Sequence, residues 1–116
     1  MYFWTLHSKF KMKFYGISES RVKRVINHPT RYEEGIVPNT IAVMQPAGTK
    51  KYSEIWVMYK LIGSQKEKKI FKKHQGFNGF KQKSIKIITV WRYPGLSPKR
   101  NPIPLEILKE VEEILE

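Results

Sequence analysis

Neither cysteine nor aspartate occurs in the chain. The first absence excludes disulfides, thiolate nucleophiles and cysteine-ligated metals, and leaves the redox compartment open. The second removes the usual carboxylate cluster of two-metal nuclease chemistry, leaving only glutamates, and excludes any Ser-His-Asp order. No apolar run approaches the roughly 18 residues that a membrane span needs, so no membrane partner is expected. The histidines His7, His28 and His74 stand far apart, without paired-ligand spacing, so no metal is expected. No nucleotide-binding glycine fingerprint is present either, since Gly76-Phe77-Asn78-Gly79 is too short, and no cofactor is expected. The opening residues, Met1 to His7, lack a basic lead and a small-residue cleavage site. No signal peptide is expected, and the cytoplasm is the expected compartment.

What is abundant is positive charge. Twenty-two Lys and Arg stand against ten Glu, a net +12 with an isoelectric point near 10.0. A charge so far from zero predicts attraction to polyanions and is silent on catalysis. It is unevenly placed: residues 1–62 carry net +6, residues 63–100 net +10 and residues 101–116 net −4. The acidic tail reads either as a screen folded over the basic surface or as the solvated face of a helix. With 116 residues, 41% of them hydrophobic, the chain has material for a single domain, 1–116, around one core.

The local patterns predict an α+β fold. Tyr2 to Leu6 suits a short strand, and His7 to Tyr15 turns helical, with Phe10 and Phe14 on the face of His7. Gly16 is placed to stop that helix, and Ser18 to cap a second one, buried through Val22, Val25 and Ile26 and ended by Pro29. A polar connection, His28 to Asn39, leads to a hairpin of Ile41–Gln45 and Tyr52–Ile62 around Pro46-Ala47-Gly48. In the second strand Ile55, Val57, Tyr59 and Leu61 share one face, with Trp56 and Met58 on the other. Gly63 to Lys83 reads as a basic loop. Ser84 to Tyr93 reads as a strand with Ile85, Ile87, Thr89 and Trp91 on one face and Lys86, Ile88, Val90 and Arg92 on the other. Pro104 to Glu116 reads as an amphipathic helix with the stripe Leu105, Leu108, Val111 and Leu115, and Ile107 and Ile114 beside it. The economical architecture is a small antiparallel sheet with two N-terminal helices and one C-terminal helix on one face.

The run His7, Lys11-Met12, Tyr15-Gly16-Ile17-Ser18, Val22, Val25-Ile26 and Pro29, closed by Ile87-Ile88-Thr89-Val90-Trp91, resembles the histidine-led opening and final strand of a small bacterial domain family of unknown function. That family is related to RelE/BrnT-type toxins, metal-independent endoribonucleases. Two positions depart from the pattern: Lys11 stands for an arginine, keeping the charge without the bidentate fork, and Tyr15 stands for a second arginine, losing the charge. The resemblance covers about residues 4–93. It implies a RelE/BrnT-like fold and an endoribonuclease toxin of a toxin–antitoxin pair. RNA or the ribosome would be its target and an acidic antitoxin its partner.

Metal-free RNA cleavage needs a base for the ribose 2′-OH, cations at the phosphoryl oxygens and an acid for the leaving oxygen. His7 is the candidate proton carrier, since imidazole titrates near neutrality. Arg92 and Tyr93 close the last strand, where the resemblance implies phosphate-binding and catalytic groups, and would complete the catalytic set as phosphate clamp and base-stacking group. Lys11 and Arg31 are candidate phosphate contacts. Lys66, Lys68, Lys69, Lys72, Lys73, Lys81 and Lys83 would track the backbone, with Phe71, Phe77 and Phe80 stacking on bases. Each has a plainer reading. His7 caps its helix or packs beside Trp4, Arg92 is a surface arginine at a strand end, Arg31-Tyr32 is loop, and the lysines are solvated. The alternatives for the whole chain are a non-catalytic RNA- or ribosome-binding module, or an interaction domain whose basic face meets an acidic protein.

Overall fold

The computed structural model describes residues 1–62 and 84–115. The basic segment, with Lys66, Lys68, Lys69, Lys72, Lys73, Lys81 and Lys83, lies outside the described residues. In chain order the elements are β1 (Tyr2–Trp4), α1 (Leu6–Tyr15), α2 (Glu19–Asn27), β2 (Arg31–Glu34), β3 (Ile41–Ala47), β4 (Ser53–Ile62), β5 (Ser84–Pro94) and α3 (Leu105–Leu115). The strands form one sheet in the order β1-β5-β4-β3-β2. Every pairing is antiparallel except β1 with β5, so the sheet of this α+β fold is mixed. Among the described residues no helix is long and apolar enough to cross a membrane.

The expected single layer of helices is instead two layers. Ile55, Val57 and Tyr59 of β4 pack with Val43, Ile87 and Val90 under Met12, Ile17 and the buried stripe Val22, Val25 and Ile26 of α2. On the opposite face Trp56 and Met58 pack with Met44, Ile88 and Trp91 under Ile103, Ile107 and Val111. The cause is in β4 itself: apolar on both sides, it requires cover on both. The Trp56 and Trp91 rings stack at 5.7 Å, nearly parallel, at the centre of the second layer. The C-terminal helix is therefore a packed layer on this face. Among the described residues of this helix Ile107 and Val111 are the deepest, while Leu105, expected in the stripe, is 67% exposed. Ile103, just ahead of the helix, is buried in the same cluster.

A bulge corrects the alternation expected in β5. Met58 pairs with Thr89 and Tyr59 with Ile87, which leaves Ile88 as an extra residue. Its insertion reverses the facing of everything after it. Ile87 and Val90 thus share the α2 face, whereas Ile88 and Trp91 belong to the α3 face. Arg92 is carried to the α2 side and Tyr93 packs on the α3 side.

Both ends of α1 are fastened to β5. Thr5 caps the helix by accepting from the Ser8 N–H at 3.0 Å, and its hydroxyl donates to the Ile87 carbonyl beside the bulge at 2.7 Å. At the other end Arg92 Nη2 donates to the Tyr15 carbonyl at 3.3 Å. This mounting buries Ser8, Lys11 and Met12. It turns Phe10 and Phe14 outward, 65% and 71% exposed, contrary to the usual assignment of aromatics to a core stripe. Gly16 ends α1 at φ 68° and Ser18 caps α2 by accepting from the Arg21 N–H. The polar connection contains a strand the pattern does not show, β2, whose sequence Arg-Tyr-Glu-Glu pairs with β3 at the sheet edge. Charged edge strands lack the apolar alternation that betrays a strand, and they resist unwanted pairing. The hairpin turn holds Gly48 at φ 87°, where a Cβ would collide with the Lys51 carbonyl oxygen, so only glycine fits.

Candidate nucleic-acid interface

His7 and Lys11 point toward α3 and share one carboxylate. Lys11 Nζ donates to both Glu110 oxygens, at 2.9 and 3.1 Å, and lies over the Tyr15 ring at 5.4 Å. His7 Nε2 lies 3.4 Å from Glu110 Oε2. The Lys11 side chain is only 8% exposed. A lysine buried in this way binds two layers of the fold together and presents no ammonium to an external phosphate.

Arg31 is likewise engaged inside the molecule. Its Nε donates to Glu33 at 2.9 Å, Nη1 to Ser97 Oγ at 3.2 Å and Nη2 to the Lys99 carbonyl at 2.7 Å, while the guanidinium lies over the Trp56 ring. It staples β2 to the segment between β5 and α3.

The same segment is held by Glu54, which interrupts an apolar strand and carries no role in the sequence pattern. Its carboxylate is 1% exposed. It accepts from Trp56 Nε1 at 3.0 Å, from the Ser97 N–H at 3.3 Å and from the Tyr52 hydroxyl at 3.2 Å. Burial pushes its pKa up, but the hydrogen bonds from Ser97, Trp56 and Tyr52 outweigh burial and hold it below the ordinary carboxylate range. The sign follows from linkage: a depressed folded-state pKa gives stability that is present above the unfolded value, about 4.3, and is lost as pH falls through the folded value. Resistance to thermal unfolding should therefore weaken on acidification below about pH 4.3. In Glu54→Gln the curve should be lower at neutral pH and flatter with acid; an unchanged acid limb would remove Glu54 as its source.

The catalytic set does not converge. His7 is at the start of α1, whereas Arg92 is bonded at its end, roughly 12 Å away along the helix axis. Tyr93 is on the other face of the sheet, half-buried against the α3 layer. What does gather around Arg92 is other arginine. A cleft of about 380 Å³ is lined by Gly16, Ile17, Ser18, Arg21, Arg24, Ala47, Gly48, Ile55 and Arg92. The two tight glycine turns, after α1 and after β3, form its rim, and the first turn of α2 borders it.

Among the described residues Arg21, Arg24 and Arg92 form no ion pair. Arg21 Nη2 donates to the Pro46 carbonyl at 3.0 Å, while its buried Nε has no acceptor among the described residues. Arg92 Nη1 reaches Ser53 Oγ at 3.4 Å. Together the three guanidiniums make only three hydrogen bonds to the described residues, leaving most of their donors for a ligand. Their crowding is felt: burial first, then the charges of Arg24 and Arg92, lower the pKa of Arg21.

Composition sharpens the point. Only five of the twenty-two basic residues are arginines, and three of those five line this one cleft. Arg21 and Arg24 do not stand out in the sequence, because i, i+3 cations beside a buried Val-Ile stripe look like an ordinary solvated helix flank. The available signal was the choice of arginine in a lysine-rich chain, since the planar fork suits phosphate where an ammonium acts as a point charge. Comparison with protein-family models, with curated proteins and with solved structures finds no match to this chain.

Proposed function

We propose that this protein is an RNA-binding module that holds the RNA phosphate backbone in the cleft of Arg21, Arg24 and Arg92. The observation that carries this reading is three guanidiniums on one concave surface of a strongly basic chain, without an ion pair among the described residues. Like charges brought together repel one another, and an anion relieves that cost. Phosphate is the anion that the guanidinium fork fits best, and the net +12 charge draws in a polyanion over distance.

Binding without cleavage is the form of this reading that the site supports. Among the described residues the cleft lining contains no histidine, glutamate, lysine or tyrosine, hence none of these side chains is placed to move a proton at the phosphate it would hold. His7, the proton carrier of the RelE/BrnT-type toxin reading, is beside Glu110 at the far end of α1. The test is titration of a labelled single-stranded RNA in EDTA at several salt concentrations, followed by a denaturing gel. RNA that is bound tightly at low salt and recovered intact, equally by wild type and His7→Ala, supports the module. Cleavage that His7→Ala abolishes would restore the endoribonuclease reading in its place.

A further inference from the structure

Resting on the RNA-binding reading, we infer that the arginine cleft is built for a terminal phosphomonoester of an RNA strand rather than for the phosphodiesters along it.

Charge is the first reason. A phosphodiester within a strand carries one negative charge, whereas a terminal phosphomonoester carries about 1.5 to 2 at neutral pH and offers three acceptor oxygens. Along an extended backbone, binding grooves distribute their cations so that successive phosphates each meet one. Here Arg21, Arg24 and Arg92 line a single concave space, and no carboxylate is among its described lining residues. Three cations in one place match one group of high charge better than a series of single charges.

Size and shape agree. The volume, about 380 Å³, falls within the range of pockets that take one small ligand. The walls are steric as well as charged: the Gly16-Ile17-Ser18 turn is on one side, Ala47 and Gly48 are on another, and Ile55 of the sheet is among the lining residues. The arginine heads are also set in advance. Arg92 is held by Ser53 and the Tyr15 carbonyl, and Arg21 by the Pro46 carbonyl, so little side-chain order has to be gained on binding. Among the described residues Arg24 has no such tether through its guanidinium and can close on a phosphate once it arrives.

The two ends of an RNA can each bear this group, and the experiment separates them. The full chain is titrated with three single-stranded oligoribonucleotides of one sequence, bearing a 5′-monophosphate, a 3′-monophosphate or hydroxyls at both ends. The expected result is at least tenfold tighter binding of one phosphorylated oligonucleotide than of the hydroxyl one, with the tighter one identifying the end. In Arg24→Ala, which removes a guanidinium that ties no two elements together among the described residues, that preference should shrink to less than threefold. Equal affinity for all three RNAs, still weakened by Arg24→Ala, would overturn the terminal preference while leaving the RNA-binding module intact. Equal affinity untouched by Arg24→Ala and by Arg92→Lys would overturn both.

Discussion

Arg24→Ala and Arg92→Ala are each expected to weaken binding of single-stranded RNA by about ten- to a hundredfold at fixed low salt. A charge-assisted hydrogen bond to an ionised group contributes roughly 1.5–3 kcal/mol, and about 1.4 kcal/mol is a factor of ten. The two differ in what else they disturb. Among the described residues Arg24 makes no side-chain bond, so its variant should unfold at the wild-type temperature. Arg92 also ties β5 to the end of α1 through the Tyr15 carbonyl, so its variant should lose some stability as well. The salt dependence adds an independent measure: each RNA phosphate that is no longer engaged should flatten the log–log slope by about 0.7. Arg92→Lys keeps the charge and loses the fork, so it should retain most of the slope while losing affinity. Wild-type affinity and slope in both alanine variants would place RNA elsewhere on the molecule.

Glu110→Ala is expected to destabilise the fold more than either arginine variant. It leaves the Lys11 ammonium, 8% exposed, without its carboxylate. Removing one partner of a fully buried pair costs about 3–5 kcal/mol. Glu110 is one-third exposed, so water screens part of this, and the expected cost is about 2 kcal/mol. For a domain of this size that lowers Tm by about 10 °C. The paired replacement Lys11→Met with Glu110→Leu should recover most of the loss, because the layers then meet through apolar side chains without a stranded charge. RNA affinity should stay near wild type in the paired variant, since the pair joins α1 to α3 and does not border the arginine cleft. Additive losses in the double variant, or a collapse of RNA binding with a preserved Tm, would contradict the assignment of Lys11 as a tie between layers.

The elements were legible in the sequence wherever a local rule is decisive. Gly16 and Ser18 have the left-handed and capping roles that their chemistry predicts, and Val22, Val25 and Ile26 form the buried stripe that their spacing predicts. The hairpin of β3 and β4 follows from alternation and a glycine turn. What was not legible depends on long-range packing. The parallel pairing of β1 with β5 joins distant parts of the chain and leaves no local trace. The bulge at Ile88 changes the facing of Arg92 without altering the strand pattern that announces β5. Lys11 reads as a solvent-facing cation until Glu110, ninety-nine residues on, is placed beside it. The cleft has the same origin: Arg21 and Arg24 come from one helix and Arg92 from the far strand, and only the fold makes them neighbours.

The most direct test of the phosphate-binding cleft is to follow the five arginine side chains by their Nε–Hε resonances while single-stranded RNA is added. The account predicts that the signals of Arg21, Arg24 and Arg92 shift together and saturate with the binding curve. Arg31, already committed to Glu33, Ser97 and Lys99, should hardly move. Bound RNA that leaves all three cleft signals in place would contradict it.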